Sequence, residues 1–378
     1  MSNNLPVTQF ETRQNRLISA IQVAGLDALA LNAGPTLTYL TGLHFHLSER
    51  PVIALFSPGN RPALFLPELE GRKVEGLPFA LDSFPYGEDP LEWAQGLSGA
   101  IKTLKLDSQK IGVEPRRFRV LELRLLETAI PSAQIQSAED CVARLRMHKD
   151  QAELANMRQA IAVAQKALNN TLPSIKVGLT ERQIASELTM QLLSNGSDSE
   201  IPFAPIIASG PNSANPHAVP TDRRLQPGDL LIVDWGASVN EYISDLTRTF
   251  VLGEPEQELS QIAHIVLEAN AAARQQAKPG IPAGQLDQAA REVIEKAGYG
   301  EFFTHRTGHG LGMESHEEPY IREGNNLLLA PGMTFTIEPG IYLPGRGGVR
   351  IEDNLVITDS GSETLSDFPR ELVSIQTI

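Results

Sequence analysis

Four acidic residues sit where the surrounding chain is apolar. Leu230-Leu231-Ile232-Val233 runs directly into Asp234, with Gly236 close behind, and eleven residues after Asp234 comes Asp245, which opens Leu246-Thr247-Arg248-Thr249-Phe250. Asn240 lies between them where a hairpin would turn, and such a hairpin brings the two aspartates side by side. Glu338 closes Thr334-Phe335-Thr336-Ile337, and Glu352 follows Val349-Arg350-Ile351. A strand's period of two sets Glu338 opposite the face of Phe335 and Ile337, and puts Arg350 and Glu352 on one face. An unpaired buried carboxylate is costly, so four of them on strand faces need a reason to converge, and cations supply one. A histidine completes the set: His309 lies in Thr307-Gly308-His309-Gly310-Leu311-Gly312, where the glycines let backbones approach closely. One imidazole and four carboxylates suit two hard or borderline divalent ions such as Mn, Co, Zn or Fe. Taken singly, each residue is an ordinary strand-end or loop residue. The combination carries the inference.

The elements that must position these groups are legible as periodicities. Over residues 150–170, Leu154, Met157, Ile161, Ala164 and Leu168 recur at steps of three and four, which is one apolar stripe on a long helix. Thr180-Glu181-Arg182-Gln183 is a capping-box pattern that starts a second helix through residue 193. Further helices are expected over 256–277 and 287–297, stopped by Pro279-Gly280 and Gly298. Strand-like runs fall at 230–234, 246–252, 333–338 and 349–358. Helices and antiparallel-looking strands in this order make an α+β domain. Upstream, a helix over 10–24 and short apolar runs at 28–31, 52–56 and 62–66, the last after a Gly59-Asn60 turn, read as an α/β domain. With 378 residues, two domains are the natural expectation, 1–145 and 146–378.

Bulk properties narrow the function classes. A net charge of −14 argues against nucleic acid or an anionic membrane as the main partner. Cys141 is the single cysteine, so neither an internal disulfide nor a thiolate metal site can form, which suits a reducing compartment. The N-terminus has no basic stretch followed by an apolar one, and the longest uncharged stretch, 201–221, is broken by prolines, asparagines and a histidine. Neither a signal peptide nor a membrane helix is expected, and the protein is read as cytoplasmic.

The segments Asp234-Trp235-Gly236, Ser244-Asp245-Leu246-Thr247-Arg248-Thr249, His305-Arg306-Thr307-Gly308-His309-Gly310, Ser315-His316-Glu317-Glu318-Pro319, Ile337-Glu338-Pro339-Gly340-Ile341-Tyr342 and Val349-Arg350-Ile351-Glu352-Asp353-Asn354 together resemble the signature segments of the pita-bread metallopeptidases. Within that family the chain is most similar to the Xaa-Pro dipeptidase (prolidase) and Xaa-Pro aminopeptidase branch. The match covers roughly residues 150–378, and residues 1–145 resemble the creatinase-type N-terminal domain of the same enzymes.

The resemblance implies two divalent ions per subunit, manganese foremost. Asp245 and Glu352 would bridge them, Asp234 would bind one, and His309 with Glu338 the other. Glu338 would accept the proton that water loses between two cations. His217, in Asn215-Pro216-His217-Ala218, resembles the histidine that contacts the scissile amide. His316 matches one that stabilises the tetrahedral intermediate, and His305 one that lines the substrate pocket of the proline-specific branch. Tyr342 and Arg350 match residues that orient the metal-bound carboxylates. Arg350 is also a candidate ion-pair partner for Glu352.

The implied substrates are small peptides with proline in second position, and the implied assembly is a homodimer. Ser48-Glu49-Arg50 resembles a loop that reaches a neighbouring subunit's site, but Ser48 stands where relatives often have histidine, so an exposed ion pair is the favoured reading there. From a different class, a metal-free amidinohydrolase of the creatinase kind shares this fold. Such relatives lose several ligand carboxylates, and this chain loses none.

Overall fold

In the computed structural model, which describes residues 7–106 and 109–375, the chain forms two compact units, Met1–Arg146 and Met147–Ile378. In the first unit the short apolar runs become the buried strands β1 (Ala28–Asn32), β2 (Ile53–Phe56) and β3 (Ala63–Pro67), joined by β4 (Asp82–Tyr86), β5 (Lys110–Val113) and β6 (Gln134–Ser137). They form one mixed sheet in the order β4-β3-β2-β1-β5-β6. Helices α1 (Val7–Val23), α2 (Pro35–Thr41), α3 (Pro90–Leu104), α4 (Val120–Ala129) and α5 (Glu139–Arg146) complete the unit. Its core joins Ile53, Leu55 and Phe65 of the sheet to Trp93, Leu97 and Ile101 of α3. The Phe65 and Tyr86 rings stack at 4.4 Å.

The second unit opens with α6 (Gln151–Thr171) and α7 (Glu181–Ser194). Both begin in capping boxes: Asp150 and Glu153 exchange hydrogen bonds with each other's backbone, as do Thr180 and Gln183. Strands β7 (Ile206–Ser209), β8 (Leu230–Trp235), β9 (Ser238–Val239), β10 (Tyr242–Ile243) and β11 (Leu246–Leu252) follow. After helices α8 (Gln257–Gln276) and α9 (Gly284–Lys296) come β12 (Gly308–Gly310), β13 (Glu317–Ile321), β14 (Thr334–Ile337), β15 (Gly340–Leu343), β16 (Gly347–Arg350), β17 (Asp353–Ile357), β18 (Ser362–Thr364) and β19 (Val373–Ile375). The strands make a four-stranded sheet β19-β11-β8-β7, a five-stranded sheet β13-β12-β14-β17-β18, and two small ribbons, β9-β10 and β15-β16. The α/β first unit and α+β second unit expected from the patterns are both present. Trp235 anchors the core between α6 and the four-stranded sheet, its indole N–H donating to Ala164 O at 2.7 Å. Among the described residues no helix is long and apolar enough to cross a membrane.

Two elements differ from the expectation. The run 349–358 is two strands, not one, and they belong to different sheets. The chain leaves the β15-β16 ribbon after Arg350 and enters the five-stranded sheet at Asp353. Glu352 lies at the crossing, where its N–H bonds Thr247 O of β11 at 3.1 Å. The polar run Glu352-Asp353-Asn354 interrupts the alternation of Val349 and Ile351 at this crossing, the one local sign of it in the sequence. Helix α9 starts at Gly284, not at 287. Asp287 looks like a helix opener, yet it lies inside the first turn with its carboxylate on Arg291 and on the Thr307 N–H.

Candidate metal centre

The β8–β11 hairpin carries the two aspartates. Antiparallel register sets Asp234 across from Thr247, and Asp245 lies just ahead of Leu246, the partner of Trp235. The turn between the strands passes through Asn240 and Glu241, both at positive φ. His309 is the middle residue of β12, whose flanking glycines allow the close approach that sequence suggests. A Cβ at Gly308 would collide with Thr336 O, and one at Gly310 with Glu318 O. Glu338 follows β14, its N–H donating to Thr307 O at 2.7 Å.

These elements bring ligand atoms of Asp245, His309 and Glu352 within 4.8 Å of one another, all three residues buried. His309 Nε2 is 3.3 Å from Glu338 Oε1 and 3.7 Å from Asp245 Oδ2. Its Nδ1 lies 3.1 Å from Gly310 O, a contact that requires a proton on Nδ1 and leaves Nε2 as a bare lone pair. Burial holds this imidazole neutral, its pKa well below the ordinary value. A lone pair therefore faces two carboxylate oxygens. Burial, and then the neighbouring acidic groups, push Asp245 and Glu352 well above the usual carboxylate range. Asp234 is raised by burial although Arg350 opposes it, and its buried Oδ1 has no hydrogen-bond partner among the described residues. Converging lone pairs, mutually repelling acids and an orphaned oxygen are the signature of a site built for cations. The donor set fits divalent metal.

Around these groups runs a hydrogen-bonded scaffold. Buried Arg350 pairs with Asp234 through Nη2, donates from Nε to Thr247 Oγ1 at 3.1 Å and from Nη1 to Tyr342 OH at 2.9 Å. Thr247 Oγ1 in turn donates to Glu352 Oε2 at 2.7 Å. The ion-pair partner of Arg350 is thus Asp234, and Glu352 is reached only through the Thr247 hydroxyl. Because Tyr342 OH accepts from Arg350, its proton is free to donate to His305 Nε2 at 2.8 Å. His305 Nδ1 donates to Arg306 O, and burial followed by the Arg350 charge lowers its pKa to about 4. Both ring nitrogens of His305 are engaged. His316 sets its ring edge-on to His309, centroids 4.2 Å apart. His217 is exposed on a turn in which its N–H donates to Asn215 Oδ1, and the carbonyl of the proline before it, Pro216 O, is held by Arg350 Nη1 at 3.2 Å. Arg50 pairs with Glu49 and Glu88 on the surface of the first unit.

Sequence reasoning missed the polar side chains that hold the candidate ligands in place. Thr336 accepts the His309 N–H at 3.1 Å and leans toward Glu338 Oε1. Asn354 brackets the Asp245 backbone, accepting its N–H and donating to its carbonyl. Asn270 of α8 is fully buried and donates to both Ile337 O and Ile351 O, the carbonyls just before Glu338 and Glu352. Its signal was present: an asparagine on the apolar stripe of Ile262, Val266, Ala269 and Ala273 has to bond something.

The model of metallopeptidase family M24 matches residues 155–359, and that of the creatinase/prolidase N-terminal domain matches residues 13–148. A curated Xaa-Pro dipeptidase of Lactobacillus delbrueckii subsp. lactis is 35% identical over 362 residues, covering 95% of this chain and 97% of that one. The crystal structure of dipeptidase PepE from Mycobacterium ulcerans superposes with a TM-score of 0.91 at 33% identity, covering 98% of this chain and 99% of that one. An X-Pro aminopeptidase from Thermotoga maritima superposes with a TM-score of 0.83 at 33% identity, covering 95% and 99%.

Proposed function

The chain belongs to metallopeptidase family M24, and from that premise we propose that it is a dinuclear-metal peptidase hydrolysing the Xaa-Pro bond in Xaa-Pro dipeptides or at the N-terminus of short peptides. The observation that carries this reading is the buried convergence of Asp245, His309 and Glu352 with Glu338 beside the imidazole. Asp234, Asp245, His309, Glu338 and Glu352 would hold the two ions, which would supply Lewis acidity toward the scissile carbonyl and a water of lowered pKa. Manganese is the proposed ion among Mn, Co, Zn and Fe, since carboxylates dominate the donors.

The chain's own groups divide the remaining work. Glu338, mostly buried beside His309, accepts the proton of the attacking water and returns it to the proline nitrogen. His217 hydrogen-bonds the scissile amide as that nitrogen leaves, and His316 stabilises the oxygen on which negative charge develops. His305, kept neutral with both nitrogens occupied and its ring edge-on to Phe303 at 5.2 Å, offers proline a wall without charge. Tyr342 and Arg350 orient the carboxylates. Residues 146–378 form the catalytic domain and residues 1–145 the creatinase-type domain of a cytoplasmic homodimer.

Purified protein loaded with Mn is expected to release proline from an Xaa-Pro dipeptide, and a chelator is expected to abolish the activity until metal is restored. Tripeptides and longer peptides in parallel separate the dipeptidase from the aminopeptidase form. Turnover that survives chelation would refute the metal dependence, and none on any proline peptide would refute the peptidase reading and favour a metal-free amidinohydrolase.

A further inference from the structure

Glu181 is the first residue of α7 and is fully buried, an unusual place for a carboxylate. Its two oxygens are satisfied by five neutral donors. Oε1 accepts from Ser209 N at 2.7 Å and Ser209 Oγ at 2.8 Å, Oε2 from Thr221 N at 3.0 Å and Thr221 Oγ1 at 2.6 Å, and Asn212 Nδ2 reaches both at 3.1 Å. The helix end adds its own free donors: Glu181 N bonds Arg223 O and Arg182 N bonds Thr221 O, each at 3.2 Å. The carboxylate also sits at the positive end of the helix dipole.

Ser209 and Thr221 are the two ends of a loop of eleven residues, and His217 is carried near its tip. Arg350 Nη1 holds the tip at Pro216 O, and the same guanidinium holds Asp234. Arg223 Nη1 also reaches Ser209 Oγ at 2.8 Å and Asn212 Nδ2 reaches Thr221 Oγ1 at 3.2 Å, but among the described residues Glu181 is the side chain that accepts from both ends. We propose that Glu181 is a positioning residue for the reaction: by joining Ser209 to Thr221 it closes the base of the loop and fixes where His217 stands over the substrate. The effect on turnover rests on the peptidase reading above, whereas the clamp does not.

Glu181→Gln tests it with little change of volume. The new amide turns N–H groups toward Ser209 or Thr221, both of which are donors, so one end of the loop loses its acceptor. In the full-length Mn-loaded protein, amide exchange over residues 209–221 is expected to quicken, with metal stoichiometry unchanged. For an Xaa-Pro dipeptide, kcat is expected to fall ~10- to 100-fold, the scale set by misplacing a reacting group by about an ångström, with KM moving far less. On a His217→Ala background the same substitution is expected to cost less than about threefold more, because the two residues act in series. Thr221→Val removes one hydroxyl from the clamp and gives a smaller loss of the same kind, which Thr221→Ser largely recovers.

Unchanged exchange in E181Q overturns the clamp, and a full multiplicative loss on the His217→Ala background overturns its action through His217. If E181Q does not fold, the threonine pair decides, and equal exchange and kcat in T221V and T221S overturn the inference. A wild-type protein without Xaa-Pro turnover would sink the peptidase reading while the exchange result still judged the clamp.

Discussion

Tyr342 links two halves of the site through one hydroxyl, accepting from Arg350 and donating to His305. Burial pushes its pKa up to about 12, so it remains a neutral donor throughout the useful pH range. Tyr342→Phe leaves the ring in place and strands two buried partners, which costs ~1–3 kcal/mol. Thermal unfolding checks that loss. Because Asp234 keeps its own bond to Arg350 in this variant, metal stoichiometry is expected to hold while kcat/KM falls about tenfold through a loosened His305. Loss of metal along with activity would show instead that Tyr342 supports the Arg350–Asp234 pair directly. His217, the residue served by the Glu181 clamp, belongs to this scale too: its ring is exposed, so its placement depends on its backbone.

At the scale of elements, the proposed ligands come from three places that no single sheet supplies. Asp234 and Asp245 come from the β8–β11 hairpin, His309 and Glu338 from the five-stranded sheet, and Glu352 from the crossing between β16 and β17. Helix α8 ties the last two together through Asn270, whose amide reaches the carbonyls of Ile337 and Ile351. Asn270→Leu keeps the branched shape and leaves both carbonyls buried without a donor. Destabilisation of ~2–4 kcal/mol is expected from two orphaned acceptors. A drop of ~10-fold or more in metal affinity should accompany it, as for other residues that orient ligands. Calorimetric titration of the metal-free variant reads the second effect, and an unchanged affinity would mean that Asn270 only packs.

For the molecule as a whole, the acidic cluster makes stability depend on metal and on pH together. In metal-free protein, burial raises Asp245 and Glu352 well above the usual range and Glu338 from 4.5 to about 7. A carboxyl raised on folding binds more protons in the native state than in the unfolded one between those two values. Its stabilising contribution is therefore complete below the unfolded pKa and is lost as pH rises through the folded one. Chelated protein is expected to melt at a lower temperature at pH 8 than at pH 5.5, and added Mn should raise the melting point most at the higher pH. The second unit should show this shift in hydrogen exchange, while the six-stranded sheet of the first is unaffected by chelation. An apo protein equally stable at both pH values would contradict the electrostatic account of the site.

Residue types, their order along the chain and their local periods were enough to read the α/β and α+β units, the apolar stripe of α6, the capping box of α7, and four acids and one imidazole set among apolar runs. These signals are local: a helix stripe, a capping box or a strand-end carboxylate is defined within a few residues, and sequence displays it directly. Contacts between distant segments are another matter. Tertiary structure alone decided that the run 349–358 splits between two sheets, that Arg350 turns to Asp234 and not to its neighbour Glu352, and that Asn270 joins two strand ends. Burial made the difference at each point, since a polar group removed from water takes whatever partner the fold places within reach. That partner can lie more than a hundred residues away, as Asp234 does from Arg350.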